Sequence, residues 1–446
     1  MERKLPLKET IALGFFMFAL FLGAGNIIFP PLLGQQAGES LLSAIIGFLV
    51  TGVGLPLLAV FTIARSGGDL NDLSNRVHPS FAKVFPVIIY LTIGPFFGIP
   101  RTGTVTYEIG VAPFLSNESS MGLFISTFVF FLITFWLALN PAKLVDRVGK
   151  ILTPLLLLLI VVISIRGFSS PIGSIGEVVG KYRDGAFFGG FVEGYLTMDA
   201  IAALVFGVVV INRVQEMGIK TASAVRSYTI KAGIIAGLGL SFVYISLSYI
   251  GATSVEGVGM QDNGGAILSS VTSLLFGPFG SILLALVITG ACLTTSVGLV
   301  AACGEYLSQR FTKLSYPVVV TILCLFSFTM ANLGLSQLIS VSIPLLISVY
   351  PIAIVLILLS LLQSYIPVSR AVYIGAIIGA GIVSIYDGFT TAGIEVASIS
   401  TALTFIPLYT NGLGWLLPSI VGGLLGLGTR GTVLLDFFRK ANGKTP

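Results

Sequence analysis

The chain has 446 residues, 55% of them hydrophobic and only 10% charged, with a net charge of +5. A soluble domain carries about 25% charged residues, so this composition excludes a water-soluble globular protein. It points instead to an all-α polytopic membrane protein, and the small positive excess does not suggest nucleic acid as a partner.

Twelve apolar stretches are long enough to be predicted as transmembrane helices, near 10–33, 41–64, 84–112, 121–140, 148–167, 187–213, 230–251, 279–304, 316–335, 337–362, 371–387 and 411–430. The abundant glycines and prolines are compatible with this, since both are commoner in membrane helices than in soluble ones. The segments 262–276 and 390–410 are less continuously apolar and are expected to be short helices at the outer surface. No alternating strands of the barrel type occur. The first stretch is too long and too interrupted for a cleaved signal peptide.

With the amino terminus inside, twenty of the 24 lysines and arginines fall on the cytoplasmic side, from Arg3, Lys4 and Lys8 through to Arg439, Lys440 and Lys444. Three, Arg166, Lys181 and Arg183, fall outside, and Arg101 lies within a span. This asymmetry predicts a multi-pass cell-membrane protein with both termini cytoplasmic. With no linker or soluble segment, residues 1–446 read as one transmembrane domain in contact with membrane lipid.

The first stretch is interrupted by Gly23, Ala24, Gly25 and Asn26. Closely spaced glycines weaken a helix and free backbone N–H and C=O groups, which are costly in hydrocarbon unless something satisfies them. A second interruption lies in the sixth stretch, where Gly194 precedes the polar cluster Tyr195, Thr197 and Asp199. Broken first and sixth spans are the pointer to a transporter built from two inverted five-helix repeats. The N-terminal end of a half-helix suits a carboxylate, and free carbonyls suit a cation or ammonium group.

The segments 23-GAGNIIFPP-31, 93-IGPFFGIPRT-102, 195-YLTMDAIA-202 and 290-GACLTTSVG-298, with the span count, resemble the bacterial branched-chain amino acid:cation symporters of the BrnQ type along essentially the whole chain. That family in turn is similar to the amino acid/polyamine/cation superfamily with the LeuT fold. The resemblance implies a 5+5 inverted repeat, 1–167 and 187–362, with discontinuous helices 1 and 6 and two extra helices within 371–435. It implies Na+ as the coupling ion, held by the carbonyls of Ala19, Leu22 and Ala291 and the hydroxyls of Thr294 and Thr295, and no organic cofactor. Neutral oxygens of this kind suit a hard cation. Thr294 and Thr295 have a plainer reading as hydroxyls that bond back to their own helix. Where the fold often has an arginine after the first break, Ile28 and Phe29 lead directly to Pro30, so a gate built on that arginine is not implied.

The solute carboxylate is expected on the N–H groups of Ala24, Gly25 and Asn26, with Gly23 opening the break. The ammonium is expected near the carbonyls of Tyr195 and Leu196, with Thr197 or Asp199 nearby. Close packing of helices through small residues is the plainer role for Gly23 and Gly25. Asp199 has two readings, a functional intramembrane acid or an N-cap of the second half-helix. Phe15, Phe97, Ile201 and Phe206 are candidate lining for a branched side chain.

Arg101 and Glu108 lie seven residues apart in the third span, on one face but two turns distant, and read as gating or structural residues near its outer end, with solute contact the alternative. Glu193, Glu305 and Asp387 lie near span ends, where they can snorkel to water. Cys292, Cys303 and Cys324 have no metal-ligand spacing, and the single histidine, His78, sits in a loop before Pro79. An intramembrane enzyme lacks its acid–base groups, and a channel lacks its ring of polar residues.

The function expected is therefore import of leucine, isoleucine or valine by sodium-coupled symport through alternating access. Proton coupling and a non-transporting amino-acid sensor are the alternatives. Relatives of the fold that replace sodium do so with a helix-five lysine, and here Lys150 lies only at the inner end of that span.

Overall fold

Helix α1 (Leu7–Phe21) stops because Leu22 leaves the helical region (ψ 88) and the next N–H, that of Gly23, bonds to the Asn26 side chain at 3.0 Å instead of to Ala19. Helix α2 (Ala24–Ala37) starts immediately after and is bent back at Gly38 (φ 45), where a Cβ would meet the Gly176 carbonyl at 2.2 Å. These coordinates are a computed structural model that describes residues 4–66, 69–115, 120–139, 144–363, 365 and 368–428, with the side chains of 144–153 left aside. Arg3, Lys143, Arg430, Arg439, Lys440 and Lys444 lie outside the described residues, as do the side chains of Arg147 and Lys150.

The remaining helices are α3 (Leu41–Leu49), α4 (Leu55–Ser66), α5 (Leu70–Asn75), α6 (Pro79–Leu91), α7 (Gly98–Gly110), α8 (Ser120–Ala138), α9 (Leu144–Ser169), α10 (Tyr182–Glu193), α11 (Asp199–Glu216), α12 (Ala222–Ala252), α13 (Val255–Val258), α14 (Gly264–Arg310), α15 (Tyr316–Ala331), α16 (Leu335–Leu362), α17 (Arg370–Thr391), α18 (Ala397–Leu403) and α19 (Leu416–Gly428). Among the described residues there is no strand. Among the described residues, seven helical stretches are long and apolar enough to cross a membrane, and the pair α10–α11, bent by 45° at its break, adds an eighth.

Two π-helical turns, Val50–Gly54 and Thr92–Phe96, join α3 to α4 and α6 to α7. Such turns mark places where the regular ladder yields to a packing or functional demand. In the second, Gly94 leaves helical geometry just before Pro95. Residues 264–276, within the 262–276 segment expected to be a short helix, form a helical segment that non-helical Gly277 (φ 64), just before Pro278, sets off from the rest of α14.

The helices divide by what they touch. Helices α1 and α2 pack on α12, α10 on α3, and α11 on α4, while α7, α9 and α8 pack on α14 and α15 joins α8. The first group is closed by glycines at backbone-to-backbone distance. A Cβ on Gly251 would lie 2.0 Å from the Pro31 carbonyl, and one on Gly190 would lie 1.9 Å from that of Ala44. Small residues let helices approach where lipid gives no hydrophobic drive for association. Helices α16 and α17 pack together, with α19 on α17.

Candidate functional site

The break between α1 and α2 meets the break between α10 and α11. The second consists of a 3-10 turn, Gly194–Thr197, followed by Met198 in the left-handed region (φ 64). A non-glycine residue there costs about 1–2 kcal/mol, so surrounding contacts must hold it. They do so through Asp199, 3% exposed, whose Oδ2 accepts from the Asn26 amide at 2.6 Å and from the Tyr244 hydroxyl at 2.8 Å. The Asn26 amide also donates to the Tyr244 oxygen. Asn26, 2% exposed, thus joins three helices and, through its Oδ1, caps its own.

The N-cap reading of Asp199 is corrected by this geometry. Met198 occupies the N-cap, and the Asp199 carboxylate points away to α2 and α12. Thr197 donates to the Gly194 carbonyl at 2.9 Å and accepts from the Asp199 N–H at 3.4 Å. Tyr195 stacks on Tyr350 of α16, with ring centroids 4.5 Å apart, and the Tyr350 hydroxyl accepts from the Ala200 N–H at 3.3 Å. Ile201 is fully buried just beyond.

Arg101 enters from α7. Its side chain is 1% exposed, and its Nη1 donates to the Leu196 carbonyl at 2.7 Å. Its guanidinium carbon lies 5.0 Å from the centre of the Phe29 ring, within cation–π range. A Cβ on Gly25 would lie 3.0 Å from Nη1 and 3.4 Å from the Thr197 carbonyl. Gly25 therefore lets the Arg101 guanidinium and the Thr197 carbonyl pack close against the start of α2. This differs from the expected position near the outer end of its span.

The candidate cation residues of α14 approach the other side of Gly23 through Thr295. A Cβ there would stand 3.7 Å from the Thr295 methyl, so the end of α1 adjoins α14. The Ala19 carbonyl is released because the N–H that would continue the helix bonds to Asn26. Thr294 donates to the carbonyls of Ala291 at 2.9 Å and Gly290 at 3.3 Å, the back-bonding expected of a helical threonine. Its oxygen lone pairs remain able to accept or to ligate.

Comparison with known proteins adds the family. Residues 6–431 match the family described as branched-chain amino acid transport protein. The chain is 50% identical over 428 residues to the branched-chain amino acid permease BraB of Bacillus subtilis (strain 168), covering 96% of each chain. It is 42% identical over 427 residues to the permease BrnQ of Escherichia coli (strain K12), covering 96% of this chain and 97% of that one. This chain belongs to the branched-chain amino acid transport protein family. It is an integral membrane protein of a permease family, not an enzyme.

Among solved structures, the chain is similar to MhsT in complex with L-phenylalanine, with a TM-score of 0.56 at 17% identity over 88% of this chain and 100% of that one. It is also similar to Mhp1, a nucleobase-cation-symport-1 family transporter, with a TM-score of 0.54 at 14% identity over 94% and 93%. These likenesses show a LeuT-like fold for this branched-chain amino acid transport protein.

Other expected residues fall elsewhere. Glu108 accepts from Asn263 at 2.9 Å and so ties α7 to the cap of α14. Phe15 is 49% exposed on α1, whereas Phe97 is buried. Glu193 does not snorkel: it is buried and paired with Lys181. That pair borders a cavity of about 200 Å³ whose walls include Leu196, Ile343 and Leu346. The three cysteines are free and buried, and no cluster of metal-ligating side chains exists among the described residues. Tyr244 was not singled out from sequence, although a tyrosine flanked by Ser241, Ser246 and Ser248 within an apolar helix is a polar signal.

Proposed function

We propose that this chain imports branched-chain L-amino acids (Leu, Ile, Val) by sodium-coupled symport through alternating access. The observation that carries the reading is the junction of the two broken helices at Asn26 and Asp199, with Gly23 against Thr295 on its other side. The names of the relatives supply the solute class.

A twelve-span layout with a 5+5 inverted repeat is supported by the packing. Exchanging spans one with six and two with seven turns the contacts of α1 and α2 with α12 into those of α10 with α3 and α11 with α4. The contact of α7 with α14, spans three and eight, maps onto itself. The first group of helices would rock against the second, with membrane lipid covering exposed side chains such as Trp136, Leu132 and Leu286.

In this mechanism the α-carboxylate takes the N–H groups of Ala24, Gly25 and Asn26 at the start of α2, where the helix dipole is favourable. The ammonium takes carbonyls of the 195–197 turn. The Thr197 carbonyl, facing Gly25, is the best placed of these, since that of Leu196 already accepts from Arg101. Na+, the co-transported ion, takes the carbonyls of Ala19, Leu22 and Ala291 and the hydroxyls of Thr294 and Thr295. Ion and solute would share one piece of unwound backbone, so each stabilises the arrangement the other needs. The buried Asp199 carboxylate favours proton coupling as a second reading, because a buried acid is where a proton could be carried.

The test is leucine uptake into proteoliposomes under an inward sodium gradient or an inward proton gradient, for the wild type and a Thr294→Ala/Thr295→Ala variant. Sodium should drive uptake and the double variant should lose that dependence. Equal uptake on protons with sodium absent would overturn sodium coupling. Normal leucine binding with no uptake under either gradient would make the protein a sensor.

A further inference from the structure

Among the described residues only three charged side chains are buried: Arg101, Glu193 and Asp199. Glu193 has Lys181, and Asp199 has Asn26 and Tyr244. Arg101 makes one hydrogen bond, through Nη1, and its buried Nε and Nη2 have no partner among the described residues. A guanidinium that keeps two of its three nitrogens unpaired in the interior is costly. The pairing is also not arbitrary. Nε–H and the neighbouring Nη2–H point the same way along one edge of the planar group, which is the fork that matches the two oxygens of a carboxylate. Nη1 is the nitrogen left over, and it anchors the group to the Leu196 carbonyl. The Phe29 face steadies it further, and glycine at position 25 leaves room for it at the start of α2.

We propose that Arg101 receives the solute α-carboxylate on its Nε/Nη2 edge, together with the first N–H groups of α2. The proposal rests on the amino-acid transport reading above and changes the role of Arg101 from strut to solute receptor. A strut would use the Nη1 contact and leave the free edge without purpose. The edge also supplies a selection rule: solutes with a branched side chain and an ammonium but no carboxylate are rejected, because they leave the fork unpaired in the interior.

The experiment compares leucine with leucinamide, which lacks the carboxylate charge, as ligands of the purified protein, reading thermal stabilisation and displacement of radiolabelled leucine. The wild type should favour leucine by about 100-fold, the value of a bidentate charged pair. In Arg101→Gln the ratio should fall to the severalfold preference that the N–H groups of α2 give alone, and in Arg101→Lys, which keeps charge without the fork, it should fall about tenfold. Gly25→Ala keeps the arginine but presses on Nη1, so its ratio should fall severalfold; this variant decides the matter if Arg101→Gln does not fold.

Weaker binding of both ligands with an unchanged ratio in any folded variant would overturn the proposal and leave Arg101 a strut. The transport reading would survive that result, since it stands on sodium-driven uptake by the wild type. A wild type that binds neither ligand would overturn both.

Discussion

Asn26 and Asp199 stand 173 residues apart in the chain, and a 2.6 Å hydrogen bond joins them across the two helix breaks. The same asparagine accepts from the Gly23 N–H, which frees the Ala19 carbonyl. One side chain thus sets the candidate cation backbone on one face and fixes the start of α11 on the other. Asn26→Ala should reduce the initial rate of leucine uptake by about 10- to 100-fold, since a hydrogen bond to a charged group is worth about 1.5–3 kcal/mol. Asn26→Asp should be at least as damaging, because it sets a second carboxylate beside Asp199. Uptake near the wild-type rate in Asn26→Ala would mean that the two half-helices are held by other contacts.

Tyr244 completes that junction with a hydroxyl and contributes its ring elsewhere. The ring meets Phe48 edge-on, with centroids 5.1 Å apart. Tyr244→Phe keeps this packing and removes the hydroxyl that donates to Asp199 and accepts from the Asn26 amide, so folding should be retained. Uptake should fall by about tenfold, the cost of one charged hydrogen bond near 1.5 kcal/mol. Parallel measurements of thermal unfolding and uptake separate the two effects: a large drop in stability would refute this division of labour.

Both breaks were legible in the sequence because closely spaced glycines and polar residues inside an apolar run weaken a helix locally. What joins the breaks was not, because the partner of Asp199 lies on other helices and no local pattern encodes a contact across 173 residues. Depth was hidden for a related reason. Arg101 was expected near the outer end of its span, but the π turn at Thr92–Phe96 and the departure at Gly94 alter the register of α7. Glu193 lay near a predicted span end, where snorkelling costs nothing, and only the chain's return past Lys181 closes it off.

The Lys181–Glu193 pair is asymmetric, with the lysine side chain 45% exposed and the glutamate 5%. Removing either partner therefore has different consequences. Lys181→Ala leaves a carboxylate in the interior without its counter-charge, and should lower stability by about 1–3 kcal/mol. Glu193→Gln leaves a lysine that water can solvate, and should cost less than 1 kcal/mol. Thermal unfolding in detergent should rank the variants in that order. The reverse order would mean that the glutamate is hydrated after all.

Gly264 offers a handle on the movement that transport requires. It opens α14, and a Cβ there would sit 1.6 Å from the Ile28 carbonyl, a clash with backbone that no side-chain adjustment relieves. Nearby, buried Gln35 seals the far end of α2 by donating to Ser254 at 2.8 Å and to the Gly259 carbonyl at 3.0 Å, while accepting from the Gln261 N–H at 3.1 Å. Gly264→Ala keeps those polar contacts available but forbids the close approach, so α2 and the start of α14 must separate. The arrangement with this end closed should become less populated. A cysteine introduced at Gln35 in a background lacking the native cysteines should then react faster with an impermeant maleimide, by about tenfold for each 1.4 kcal/mol of bias. Unchanged labelling, in protein that still binds leucine, would show that α2 and α14 do not part at this contact.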